Sequence, residues 1–221
     1  KKFVKAVIYL YISNSFDRKL KMEEKIFQVE KYGEVYTETK EVNRMIDEIN
    51  FESTRLESTF LEPACGDGNF LLEILFRKIK TVELRYKKIE LDFQFNIFLS
   101  IASLYGIDIQ EKNVKECRER LYKCVKSNYE NHLDKIMSKE FINAINFVLS
   151  KNIQPGDALN LINPVTKNPI IFSKWSVFPK YKIKRTDYTF KSVLNYESIQ
   201  SLPLFSDLGE PAFIPEPINE N

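Results

Sequence analysis

Thr59-Phe60-Leu61-Glu62-Pro63-Ala64-Cys65-Gly66-Asp67-Gly68-Asn69-Phe70-Leu71-Leu72 is the stretch from which the fold of this chain is read. Phe60 and Leu61 end a short apolar run of strand character. Cys65 to Asn69 hold two glycines and form a tight turn. Phe70 to Ile79 is strongly apolar and reads as a buried helix. A strand, a glycine turn and a helix N-terminus together make a pocket. Glycines let the backbone approach a ligand, and the first helical N–H groups have no partner within the helix. Glu62 adds an acceptor beside those donors, so the pocket suits a ligand of mixed charge better than a bare phosphate. Gly66-Asp67-Gly68 lacks the third glycine of the dinucleotide fingerprint and the Gly-Lys-Ser/Thr ending of a phosphate loop. On the glycines alone, an ordinary strand-to-helix turn remains an equal alternative.

The whole string Leu-Glu-Pro-Ala-Cys-Gly-Asp-Gly-Asn-Phe-Leu, residues 61–71, closely resembles the first S-adenosylmethionine (SAM) motif of DNA amino-methyltransferases. These enzymes methylate adenine N6 or cytosine N4, often within restriction–modification systems. The resemblance implies an α/β, Rossmann-like SAM-dependent methyltransferase fold, with a mainly parallel sheet and flanking helices. It implies cofactor contacts from Glu62, Ala64, Cys65, Gly66, Gly68, Asn69 and Phe70. Upstream, Gly33-Glu34-Val35-Tyr36-Thr37 looks like the N-terminal SAM motif of the same enzymes, about 25 residues before the glycine string. There a loop before a helix holds the methionine carboxylate, a role that falls here to Tyr36 and Thr37. Physically, a helix N-terminus favours an anion. The plainer reading is a helix capped by Thr37 or Thr39, with Val42, Met45, Ile46 and Ile49 on its apolar face.

Further along, Glu83 to Ser103 reads as an inserted helix, with Phe95, Phe98, Leu99 and Ala102 at helical spacing. Leu104 to Ile109 is a short strand that carries Asp108 near its end. An acid at the end of the second strand of a parallel nucleotide-binding unit can accept ribose hydroxyls. Asp108 matches the family's acidic position, with Ile109 beside it; the alternative is that Asp108 caps the next helix. That helix shows Val114, Cys117, Leu121 and Val125 on one face. Tyr129 to Ser150 reads as another helix, with His132 on its surface. Then Gly156-Asp157-Ala158-Leu159 resembles the family segment whose aspartate meets the adenine amino group of SAM, which implicates Asp157 and Ala158.

The family's catalytic tetrad, Asn or Asp, Pro, Pro and an aromatic, should follow at the next strand end. Its acceptors hold the target amino group and its ring stacks on the extruded base. The chain holds no Pro-Pro pair. Asn163-Pro164-Val165 and Asn168-Pro169-Ile170 read as turns. Ser173 and Trp175, around the end of an expected fourth strand at 170–174, are the polar and aromatic residues nearest to the tetrad's place. No catalytic residue is assigned.

Lys174 to Lys191 interleaves Lys174, Lys180, Lys182, Lys184, Arg185 and Lys191 with Trp175, Phe178, Tyr181, Tyr188 and Phe190, against the single acid Asp187. Cations meet phosphates and rings stack on bases, so Lys180, Lys182, Lys184 and Arg185 are the candidate nucleic-acid contacts. An exposed hairpin with its aromatic residues turned inward fits the same pattern. Asn195 to Asn221 is rich in proline and acid and reads as an extended tail.

The chain has 221 residues, enough for one domain with a substantial core. Its net charge of +2 provides no overall basic field, so any nucleic-acid surface is local. Three cysteines and one histidine make neither a disulfide framework nor a four-ligand zinc site, and no metal is expected. That usage suits a reducing cytosol, hence a cytoplasmic protein. The apolar run from Ala6 to Ile12 is too short to span a membrane and lacks a signal-peptide cleavage site. No initiator methionine is present, and a trimmed chain is expected. The chain divides into an N-terminal helical arm at 1–30, a SAM-binding domain at 31–175, and a basic-aromatic segment with a proline-rich tail at 176–221. Only the cofactor-binding half of the fold is legible. The resemblance implies a SAM-dependent DNA methyltransferase, adenine N6 ahead of cytosine N4. The alternatives are a non-catalytic SAM-binding subunit or degenerate relative, whose tetrad comes from a second protein chain or is lost, and a methyltransferase of another substrate.

Overall fold

A computed structural model describes residues 37–194. The arm at 1–30, Tyr36 and the tail from 195 lie outside the described residues. The first helix, α1 (Thr39–Glu48), turns Val42 and Ile46, one turn apart, into the core. Its N-cap is the extended Glu38, so neither Thr37 nor Thr39 caps it. After the short α2 (Asn50–Thr54), strand β1 (Phe60–Glu62) leads through the glycine turn into α3 (Asn69–Arg85). The apolar spacing of Leu71, Ile74, Leu75, Ile79 and Val82 buries one face of α3.

The stretch expected as one inserted helix divides at residues 86–89. Helix α3 runs on to Arg85, and α4 (Glu90–Ala102) starts anew with Glu90 and Asp92 in its first turn, where the helix dipole favours acids. Strand β2 (Leu104–Asp108) leads into α5 (Glu111–Leu133), which buries Val114, Cys117, Leu121 and Val125. The helix expected from Tyr129 to Ser150 is also divided. Asp134 adopts φ 51° and ends α5, and the Ser138 hydroxyl accepts the Phe141 N–H at 3.2 Å to cap α6 (Lys139–Asn152). His132 is stacked on Phe93 at 4.5 Å between ring centroids.

Strand β3 (Ile153–Pro155) completes a three-stranded parallel sheet of order β1-β2-β3, with Phe60 opposite Leu104 and Gly106 opposite Ile153. Each crossover carries two helices. Toward α3, Gly106 lies so close to Cys65 and Leu71 that a Cβ would sit 3.0 Å from both side chains. On the other face, Ile107 joins Ile170, Phe172 and Phe190, with Tyr105 packed beside them.

The expected fourth parallel strand is not part of this sheet. β4 (Ile171–Phe178) pairs antiparallel with β5 (Lys182–Thr189) in a separate two-stranded sheet, followed by α7 (Phe190–Leu194). The chain reverses through Lys180 and Tyr181, both at positive φ (62° and 57°). A turn this short sets β5 antiparallel to β4, and between β3 and β4 there is no crossover helix of the kind that usually brings a strand back parallel.

At the amino ends of the strands, Lys78 is fully buried. Its Nζ donates to Ser58 O (2.6 Å), Leu56 O (3.2 Å) and Ser103 Oγ (2.7 Å). Burial pulls its pKa down to about 7. Three acceptors still match the three protons of an ammonium, so Lys78 ties the entries of β1 and β2 to α3. Among the described residues, no helix is long and apolar enough to cross a membrane, and no group of three or more His, Cys, Asp or Glu could hold a metal.

Candidate functional site

The carboxyl ends of the three parallel strands gather the expected cofactor residues. Glu62 closes β1, Asp108 closes β2, and Asp157 follows β3 by two residues. Open α/β sheets bind ligands at this edge. The glycine turn between β1 and α3 is fixed on several sides. Cys65 N–H donates to Ile107 O at 2.8 Å, and Gly68 N–H donates to Cys65 O at 2.8 Å. Gly66 and Gly68 have φ 52° and 91°, and a Cβ on Gly68 would lie 2.5 Å from Cys117 Sγ. Glycine is required at 68 by both the backbone angle and the close approach of α5. No side chain caps α3, so the N–H groups of Asn69 and Phe70 face the turn without an intrahelical partner.

Asp108 ties this turn to the start of α5. Its Oδ2 accepts Gly66 N–H at 3.0 Å, while Oδ1 accepts Gln110 N–H at 2.8 Å and Asn113 Nδ2 at 3.3 Å. The helix-organising role and the ligand role are therefore compatible, since Oδ2 retains a lone pair for a ribose hydroxyl. Glu62 Oε1 accepts Ala64 N–H at 3.3 Å, and burial pushes its carboxyl up to about 7. Cys65 and Cys117 are buried and hydrogen-bonded to each other, which with desolvation raises the Cys65 thiol. A protonated, buried thiol is a packing group and not a nucleophile.

Around the rim, Ile109 is 53% exposed and Leu159 90% exposed, with the half-buried Ala158 next to Leu159. The Asp157 carboxylate closes its own turn, with Oδ1 accepting Leu159 and Asn160 N–H groups at 2.9 and 3.1 Å and Oδ2 accepting Asn160 Nδ2 at 2.6 Å. Those bonds, first the one from the Asn160 side chain, hold its pKa below the usual range. Thr37 is half-buried, two residues ahead of α1. A groove of about 580 Å³ between α1, α3 and α5 touches the expected set at Asn69 alone.

Sequence reasoning missed Arg120. Its Nη1 lies 2.6 Å from Asp67 Oδ2 and donates to Asp67 O at 2.9 Å, and its Nη2 donates to Asn69 Oδ1 at 2.8 Å. The available signal was helical spacing after Asp108, which puts Asn113, Cys117 and Arg120 on one face of α5.

The residues around the expected place of a catalytic tetrad are engaged elsewhere. Ser173 is buried and donates to Asp187 Oδ1 at 2.7 Å. Trp175 packs edge-on against Phe98 and Phe147 and donates to Asn152 Oδ1 at 3.1 Å. Asn152 in turn donates to Ala102 O, so Trp175 lies at the amino ends of the strands, away from Glu62 and Asp108. Asn163 closes a turn by accepting Val165 and Thr166 N–H groups, both at 2.9 Å.

The hairpin separates the basic candidates. Lys182 and Lys184 stand opposite Phe178 and Ser176 on the same face as Lys174, with Phe178 49% exposed, and Lys180 is exposed at the turn. Arg185 is on the opposite face, 5.4 Å above the Phe147 ring, with Nε 3.2 Å from Asp187 Oδ1. Tyr181 packs edge-on against Phe95 and donates its hydroxyl to Asp92. No protein-family model, curated protein or solved structure matches this chain.

Proposed function

We propose that this chain is the cofactor-binding unit of a SAM-dependent DNA amino-methyltransferase, directed at adenine N6 ahead of cytosine N4 and belonging to a restriction–modification system. One observation carries the reading: Glu62, the glycine turn, Asp108 and Asp157 converge at the carboxyl edge of one parallel sheet. The order β1-β2-β3, with an acid closing β1 and β2 and another two residues past β3, fits a Rossmann-like methyltransferase scaffold. The donors and acceptors match the ligand's parts. Glu62 would take an ammonium, Asp108 a ribose, Asp157 or its turn an adenine edge, and Ile109 with Ala158 and Leu159 the adenine face. Thr37 and the start of α1 would take the carboxylate, as a helix N-terminus favours an anion. When bound, SAM supplies an activated methyl group; the residues named here bind and orient it.

A second reading rests on a specific observation, the engagement of Ser173 and Trp175 in the hairpin's packing. In it the chain binds SAM, and the acceptors and stacking ring come from a partner chain or another segment. The lysines on one face of the hairpin, Lys174 and Lys182 exposed and Lys184 half-buried, support DNA as the partner, because phosphate neutralisation needs only local cations. Calorimetric titration of the folded chain with S-adenosylhomocysteine tests the cofactor reading, and an absence of heat at millimolar ligand overturns it. A methylation assay on mixed DNA, with and without neighbouring gene products, separates the two readings.

A further inference from the structure

Asp67 and Asn69 lie in the second half of the glycine turn, and both are held from outside the turn by one side chain. The Arg120 guanidinium reaches across 53 residues of sequence to donate to the Asp67 carbonyl oxygen, pair with its carboxylate and donate to Asn69 Oδ1. A planar guanidinium fixes direction as well as distance, which a point-charge lysine does not. The opposite side of the turn is held by β2, through Ile107 O on Cys65 and Asp108 Oδ2 on Gly66. Between the two lies Gly68, packed on Cys117 one helical turn before Arg120. Two glycines make the turn intrinsically permissive, so its shape comes from these external ties.

We propose that Arg120 is the positioning residue of the glycine turn, acting through Asp67 and Asn69 to keep the turn and the start of α3 in their ligand-receiving shape. The inference rests on the cofactor reading for its functional half only. Arg120 acts through the turn, by its bonds to Asp67 and Asn69. Its side chain approaches from α5 and bonds to the turn, which leaves the N–H groups of Asn69 and Phe70 for the ligand. Preorganisation of this kind raises affinity by removing the cost of ordering a loop on binding.

The experiment compares the whole chain with Arg120→Met, Arg120→Lys, Asp67→Asn and the Arg120→Met/Asp67→Asn pair. Amide hydrogen exchange is read first, without ligand. Arg120→Met should speed exchange at Gly66 and Gly68, whose N–H groups are bonded to Asp108 and Cys65, by at least roughly tenfold while the β2 and β3 amides stay protected. S-adenosylhomocysteine affinity is read next. Loss of charge-assisted hydrogen bonds should weaken it by roughly tenfold to a hundredfold. Arg120→Lys should restore part of that loss, and the paired variant should be less damaging than the sum of the singles. Unchanged turn exchange in Arg120→Met, or equal affinity in Arg120→Met and wild type, overturns the inference. Exchange that rises equally across the whole sheet also overturns it, because Arg120 would then be a general stability residue. A wild-type chain that binds no S-adenosylhomocysteine, with the turn still dependent on Arg120, removes the cofactor reading and leaves Arg120 as the turn's anchor alone.

Discussion

The carboxylate of Asp108 accepts the N–H of Gly66 at 3.0 Å, so the end of β2 holds the turn that follows β1. One oxygen serves the turn, and the other serves Gln110 and Asn113 at the start of α5. Replacing Asp108 with Ala removes an anchor and the proposed ribose acceptor together. S-adenosylhomocysteine affinity should fall by about 1.5–3 kcal/mol, the usual range for a hydrogen bond to a charged group. Calorimetry reads this directly. An unchanged affinity would confine Asp108 to organising the turn and the helix.

The parts of the site legible in the sequence were those with local signals. Glycines at 66 and 68, the acid after a short apolar run, and helical spacing in α3 and α5 each depend on near neighbours. Long-range ties left no such mark. Helical spacing puts Arg120 on the face of Asn113 and Cys117, but only the fold brings it to Asp67. The hairpin was legible only as an alternative to a nucleic-acid segment, and the place of its first strand was misjudged. Lys180 and Tyr181 adopt positive φ without a glycine or asparagine to announce the turn, so the run from 170 looked like a single parallel strand. Arg185 looked like a phosphate contact because the strand alternation that turns it onto Phe147 depends on where that turn falls.

Glu62 should make ligand binding pH-dependent near neutrality. Burial holds its carboxyl up to about 7 in the folded chain, above the value of an exposed glutamate. The folded state therefore keeps a proton that the unfolded state has lost between about pH 4.5 and 7, and stability falls as pH rises through that window. A bound ammonium favours the carboxylate. S-adenosylhomocysteine affinity should thus rise from pH 6 to 8, with close to one proton released per ligand at pH 6. Binding enthalpies in buffers of different ionisation heat measure that proton. Glu62→Gln should abolish both the release and the pH trend; a release unaffected by the substitution would assign the proton to another group.

DNA binding should depend on one face of the hairpin. Lys182, exposed, and Lys184, half-buried, share one face, while Arg185 is on the other, packs on Phe147 and pairs with Asp187. Each phosphate contact contributes a slope of about 0.9 in a plot of log affinity against log salt. Neutralising Lys182 and Lys184 together should flatten the slope by up to about two contacts. Arg185→Gln should leave the slope unchanged and lower the melting temperature, because it removes a packed, paired side chain. Fluorescence anisotropy with a labelled duplex at several salt concentrations tests this. A slope that responds to Arg185 and not to the lysines would contradict the assignment of faces.

Turnover by the isolated chain should be slow. Methyl transfer to a base amino group needs acceptors that hold that group and a ring that supports the extruded base. Ser173 donates its hydroxyl to Asp187, and Trp175 is packed between Phe98 and Phe147 at the far end of the sheet from Asp108. Neither can serve at the carboxyl edge without dismantling the contacts between the hairpin and helices α4 and α6. Loss of one positioned interaction in a preorganised site costs about 2.7–4 kcal/mol of barrier. That is a rate loss on the order of a hundred- to a thousandfold, which takes a typical enzyme at about ten turnovers per second to between about six and about 0.6 per minute, and the loss of both the acceptors and the ring takes it lower still. The purified chain should therefore bind S-adenosylhomocysteine yet transfer labelled methyl groups to DNA below about one per minute, with activity restored by a partner chain or a further segment that supplies the acceptors. Faster turnover by the 221-residue chain alone, abolished by Asp157→Ala, would mean that the catalytic groups are already present at the edge where Glu62, Asp108 and Asp157 meet.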